Sequence, residues 1–121
     1  MEATSMLLQD SLLGVWNNRN SAERIALMEK IYNKEILFYE DDKNEPIVGI
    51  ESIENLIQKL QQNWPADFEF MLTEASQSNH NIQHISWQLG ASGQQPVAAG
   101  VDVAIIEEGK IKSLYLFLKT A

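Results

Sequence analysis

The sequence predicts an α+β domain in which helices come first and a mostly antiparallel sheet follows. Three observations lead there. Apolar residues recur at helical spacing through the first half of the chain, and after Pro65 the period changes to alternation. Pro96 to Lys119 then holds two long runs of Val, Ile, Leu, Tyr and Phe separated only by Glu107-Glu108-Gly109-Lys110, which is a β-hairpin signal. At 121 residues the chain has the length of a single domain, 1–121, with roughly two-thirds of its unfolded surface available to a core.

The elements follow in order. From about Ser5 to Asn17, Leu8, Leu12, Val15 and Trp16 follow helical spacing, with Ser5 or Thr4 as N-cap. The polar run Asn17-Asn18-Arg19-Asn20 ends that helix. Ser21 caps a second one from Ala22 to about Tyr32, with Ile25, Met28, Ile31 and Tyr32 on its buried face and Glu23 in the favourable first turn. Glu35 to Glu40 reads as a strand, and Asp41 to Asn44 as a polar turn leading through Pro46-Ile47-Val48 to Gly49. A third helix spans about Glu51 to Gln62, with Ile53, Leu56, Ile57 and Leu60 on one face, and Trp64-Pro65 stops it.

Asp67 to Ser76 places Phe68, Phe70 and Leu72 on one side of a half-buried strand. Gln77 to Asn81 reads as a loop. Gln83, Ile85, Trp87 and Leu89 then alternate with His84, Ser86 and Gln88 in a further strand. In the final hairpin Asp102 stands among Val101, Val103, Ala104, Ile105 and Ile106, where a strand would ordinarily carry apolar residues. A two-residue turn on Glu108-Gly109 needs positive φ at both positions, which suits Asn or Asp better than Glu; a type I turn at Glu107-Glu108 with Gly109 in a bulge is therefore expected. That register sets Asp102 opposite Leu114, on one face with Ala98, Gly100, Ala104, Leu114, Leu116 and Leu118. Val101, Val103, Ile105, Tyr115 and Phe117 form the other face. Both faces are apolar, so helices are expected on one and a second copy of the chain, in a homodimer, on the other.

Composition narrows the function. A net charge of −8 argues against nucleic acid and anionic membrane surfaces as partners, and there is no cysteine for disulfide or thiolate chemistry. The start, MEATSMLLQDSLLG, lacks a charged-then-apolar signal layout, and no apolar run approaches the ~18 residues of a membrane span, so a cytoplasmic protein is expected. His80 and His84 are placed on a loop and a strand and do not share a face, and no glycine-rich phosphate loop occurs; neither a metal nor a cofactor is expected.

The order of elements resembles the nuclear transport factor 2-like superfamily, and within it the SnoaL-like and ketosteroid isomerase-like small proteins. The strings that carry this are a helix ending near Trp16-Asn17, Gly49 before a helix, Trp64-Pro65, Trp87 followed by Gly90, Gly100-Val101-Asp102 and Gly109-Lys110-Ile111, over roughly residues 6 to 119. The resemblance implies a cystatin-like cone: a strongly curved sheet wrapped around three helices, a pocket on its concave side, and dimers through the outer face. It also implies catalytic roles for Glu40, as carboxylate base, and for Asp102, as a protonated acid that donates to an oxyanion. Where that branch has a tyrosine donor on the first helix, this chain has Leu12.

The resulting expectation is a small-molecule pocket with Asp102 and Glu40 as acid–base groups, one kept neutral and the other ionised by their surroundings. Its ligand is apolar, bearing a carbonyl or hydroxyl, and Trp87, Phe38, Phe68, Phe70, Ile85, Leu114, Leu116, Leu12 and Trp16 form the lining. Isomerisation, cyclisation or hydration is the reaction class. The alternatives are a core acid at Asp102, a solvated turn at Glu40-Asp41-Asp42, plain core packing for each aromatic residue, and a non-catalytic binding or scaffold module.

Overall fold

The computed structural model describes residues 7–119, over which three helices lie against one seven-stranded sheet. The first helix, α1, begins as α-helix at Leu7–Asp10 and continues as π-helix over Ser11–Trp16. Helix α2 is Ser21–Ile31 and α3 is Ile50–Gln62; the strands are β1 Tyr32–Tyr39, β2 Ile47–Val48, β3 Phe68–Leu72, β4 Gln77–Asn79, β5 Ile82–Ala91, β6 Ala98–Glu107 and β7 Lys110–Lys119. They are ordered β2-β1-β7-β6-β5-β3, with β4 also on β5, in a curved sheet that does not close. Only β1 and β7 run parallel, so the first strand is stitched to the last. Leu12, Val15, Met28, Ile53 and Ile57 from the helices meet Ile36, Ile85, Ala104, Ile111 and Leu114 from the sheet in one core.

Several local expectations are corrected. The caps Thr4 and Ser5 lie outside the described residues. Asn20, not Ser21, caps α2, its Oδ1 accepting from Glu23 N at 2.9 Å, while the Ser21 hydroxyl donates to Glu54 Oε2 at 2.7 Å. Tyr32 is extended and opens β1, opposite Ile111, rather than closing α2. Gln77–Asn79, read as loop, pairs with β5 around His80, whose φ is 54°. All three of its residues are exposed, so backbone pairing makes that strand and no apolar alternation announces it.

The last hairpin turns on Glu108 and Gly109, with φ of 52° and 79° and Glu107 opposite Lys110. It is the two-residue turn with positive φ at both centres, whose twist matches the strands; exposed Glu108 accepts the left-handed conformation, at a cost of about 1–2 kcal/mol. The register then slips once, because Ile106 faces Ile111 but Ile105 faces Ser113. Asp102 therefore lies opposite Leu116, two residues from the expected Leu114. A shift of two preserves parity, so Asp102 keeps the face of Leu114, Leu116 and Leu118. On the opposite face Val101, Val103, Ile105 and Tyr115 are half-buried, Tyr115 stacks on Tyr39 at 4.7 Å, and Phe117 is 57% exposed.

Candidate functional site

A cavity of about 320 Å³ opens on the concave side, between the sheet and the helices. Of the expected lining, Leu12, Trp16, Phe38, Phe70, Trp87, Leu114 and Leu116 reach it, together with Asp102 and Glu40. Ile85 and Phe68 do not line it. Ile85 is fully buried in the core, and Phe68, the first residue of β3, packs half-buried against the edge of that core. Sequence reasoning left out Leu60, Leu89, Val97, Ala98 and Leu118 as ligand-facing residues, and Trp64, which the sequence reads as a closure of the cone or a residue of its mouth, lines the cavity as well. The helical spacing of Leu60 and the alternation of Leu89 with Trp87 put both on inward faces, which is the signal that could have found them. Val97 and Leu118 are 61% and 60% exposed and form an apolar rim.

The floor is built around Trp87. Its cross-strand neighbour is Gly100, and a Cβ there would stand 2.7 Å from Trp87 Cζ2, so the missing side chain lets the indole lie over β6. Gly100 thus makes room for Trp87. From that seat Trp87 Nε1 donates to Asp102 Oδ1 at 3.0 Å. Gly100→Ala is expected to push the indole into the cavity and break this bond. Overpacking of this kind costs about 1–3 kcal/mol, visible as a lower Tm and an altered tryptophan emission; an unchanged emission spectrum would contradict the seat described.

Phe70 is met edge-on by Trp16, Trp64 and Trp87, at centroid distances of 6.3, 5.8 and 5.0 Å. Its backbone is held by Asn17, whose Oδ1 accepts from Phe70 N at 2.6 Å and whose Nδ2 donates to Phe70 O at 3.0 Å. Asn17, read from sequence as the end of a helix, therefore clamps the edge strand. Trp16 is set from below. In a helix with i→i+5 bonding, Ser11 and Trp16 share one face. Both reach the buried Tyr32 hydroxyl, Ser11 Oγ at 2.5 Å and Trp16 Nε1 at 3.3 Å. Burial pushes the Tyr32 phenol up to about 12, so it stays neutral.

Asp102 is half-buried and lines the cavity. Desolvation raises its pKa from the ordinary 3.8 to about 7; the Trp87 hydrogen bond acts the other way and is the weaker effect. Among the described residues Oδ2 has no hydrogen-bond partner. Glu40, just after β1, is exposed at the mouth. The adjoining turn belongs to Asp41, which accepts from the backbone N–H groups of Lys43 and Asn44 at 3.0 and 2.9 Å. Among the described residues no group of three His, Asp or Glu side chains is arranged to hold a metal. The site can enclose an apolar body and exchange a proton with it near neutral pH.

No family model matches the chain, and no curated protein does. Solved structures do. A proposed isomerase of the SnoaL-like family from Agrobacterium tumefaciens superposes with a TM-score of 0.83 at 23% identity, over 99% of this chain and 100% of that one. The chain has the nuclear transport factor 2-like fold. A proposed SnoaL-like polyketide cyclase from Jannaschia is similar over 97% of this chain and 85% of its own, with a TM-score of 0.76 and 13% identity. A de novo designed protein with a curved β-sheet is similar as well, with a TM-score of 0.71 and 13% identity over 98% of this chain and 86% of its own. The nuclear transport factor 2-like fold is thus reached by design from very different sequences, and activity has to be argued from the cavity.

Proposed function

We propose that the cavity binds an apolar small molecule and performs proton transfer on it, in a reaction of the isomerase, cyclase or hydratase type. The Asp102 carboxyl carries this reading. It stands in an apolar wall with one oxygen held by Trp87 and the other unpartnered, and a pKa of about 7 lets it give and take a proton under neutral conditions. Asp102 is the polar anchor and acid–base group, and Glu40 at the mouth is the second acid or base. The Agrobacterium protein, as a proposed isomerase, and the Jannaschia protein, as a proposed cyclase, support the reaction class. Native mass spectrometry of freshly purified protein, set against its denatured mass, identifies any retained ligand and hence the compounds to assay. If Asp102→Asn changes neither affinity nor turnover for them, the reading fails.

One observation favours a second reading, a non-catalytic binding or scaffold module of the same fold. The wall position that the resemblance equates with a donor tyrosine is the apolar Leu12, so among the described residues the lining offers Asp102 no neighbouring hydroxyl donor. Saturable, pH-dependent binding with no chemical change in the ligand would select it.

Among the described residues no helix is long and apolar enough to cross a membrane. We place the protein in the cytoplasm as a homodimer through the face of Val101, Val103, Ile105, Tyr115 and Phe117, which the helices leave open. Val103→Glu is expected to convert dimers to monomers in sedimentation at micromolar concentration, since a charge there would be buried unpaired. Wild-type protein sedimenting as a monomer would overturn the assignment.

A further inference from the structure

The charge of the cavity wall narrows the ligand class, given that the cavity is a ligand site as proposed above. Among the described residues its two ionisable side chains, Asp102 within and Glu40 at the mouth, are both acids, and no Lys, Arg or His lines it. The buried Arg24 is occupied by Glu54, Asn18 and Gln61. Tyr32, the titratable group buried beneath, is a neutral phenol bonded to Ser11 and Trp16. Among the described residues an ionised Asp102 therefore receives one indole N–H and no counter-charge. The same wall is rich in Trp16, Phe38, Trp64, Phe70 and Trp87, whose ring faces attract organic cations. A net charge of −8 adds a field that draws cations toward the molecule.

We infer that the cavity takes an apolar ligand bearing a protonated amine, with the ammonium group against Asp102 and the indole rings and the carbon skeleton filling the apolar remainder. The ligand then supplies the charge the wall lacks. A neutral carbonyl ligand requires the opposite state of the site, an Asp102 that keeps its proton and donates it, while a hydroxyl, donor and acceptor at once, fits either state. The two classes differ in the sign of their pH dependence. Amine affinity follows the ionised fraction of Asp102 and falls with acidification, whereas affinity for an acceptor ligand rises.

The test uses matched probes, phenethylamine against phenethyl alcohol and naphthylmethylamine against naphthylmethanol. All three tryptophans of the chain line the cavity, so intrinsic fluorescence reports occupancy, and calorimetry checks the affinities. The expected result is an amine bound at least about tenfold more tightly than its alcohol at pH 8, losing about tenfold by pH 6 as Asp102 takes up its proton. Asp102→Asn removes both the preference and the pH slope, and Glu40→Gln, an exposed change that cannot disturb the core, weakens the amine alone. Alcohols that bind as tightly as amines, or affinities that rise on acidification, overturn the amine assignment and leave the cavity a ligand site. No binding of either pair at any pH overturns both.

Discussion

On the proposed acid–base role, Asp102→Asn is expected to lower turnover by about 10²–10⁴-fold and at the same time to raise stability at pH 8. The two effects have one origin. The carboxyl has a pKa of about 7 in the folded chain and an ordinary 3.8 outside it, so between these values the folded state holds a proton that the unfolded state has lost. The contribution of that proton is fully present below about pH 4 and is gone above about pH 7, which lowers wild-type stability across this window by up to about 4 kcal/mol, less where the cavity is wet. Asn keeps an oxygen for Trp87 Nε1 and has no charge to desolvate. The gap between the melting curves, with the variant above the wild type, should therefore be smaller at pH 5 than at pH 8 and close only below about pH 4. An acid kept for structure alone gives the reverse, a variant less stable at pH 8 with unchanged ligand affinity. A residue that costs stability where the protein works is what a functional site looks like.

Arg24→Met is the largest expected loss of stability. Arg24 and Glu54 are 1% and 5% exposed and join α2 to α3 through two parallel bonds, Nε to Oε1 at 2.7 Å and Nη2 to Oε2 at 2.5 Å. Arg24 Nη1 also donates to Asn18 O and Gln61 Oε1, each at 2.8 Å, so the guanidinium ties the α1–α2 connection to the same point. Its hydrogen bonds hold the Glu54 carboxyl below the usual carboxylate range. Removing Arg24 leaves a buried carboxylate uncompensated, a cost of about 3–5 kcal/mol, or roughly 10–20 °C in Tm for a domain of this size. Because the Glu54 pKa is depressed in the folded state, its contribution is present above the ordinary carboxylate pKa and fades on acidification, so the variant's deficit should shrink below about pH 4. The double variant Arg24→Met with Glu54→Leu should recover most of the loss. A single variant that melts within 2–3 °C of wild type at pH 7 would refute a buried pair of this strength.

Arg24 also marks the boundary of what could be read in advance. Its spacing to Met28 and Ile31 puts it on the buried face of α2, so its burial is implicit in the helical period. Its partner is not, since Glu54 lies 30 residues away on another helix. The cavity repeats this division. The alternation of β5, β6 and β7 places Trp87, Asp102, Leu114 and Leu116 on one face without any knowledge of the register. That is why a register wrong by two residues left the candidate acid on the correct side. Phe68 and Ile85 share the parity of the lining but not its depth, because parity chooses a face and says nothing of distance from the mouth.

The sequence by itself determined the layering of helices on an antiparallel sheet, the parity of each long strand and the acidic, cysteine-free chemistry of the chain. These follow from local periods of 3.6 and 2 residues and from composition, which need no partner to be expressed. Only the tertiary structure decided that Trp87 lies over Gly100 and donates to Asp102, that a π-helical turn brings Ser11 and Trp16 to one tyrosine hydroxyl, and that Asn17 clamps Phe70. Each is a contact between elements distant in sequence, selected by steric fit and by the need of buried polar atoms for partners. The pKa of Asp102 belongs with them, since desolvation depends on every side chain packed around the carboxyl and on no single neighbour in the chain.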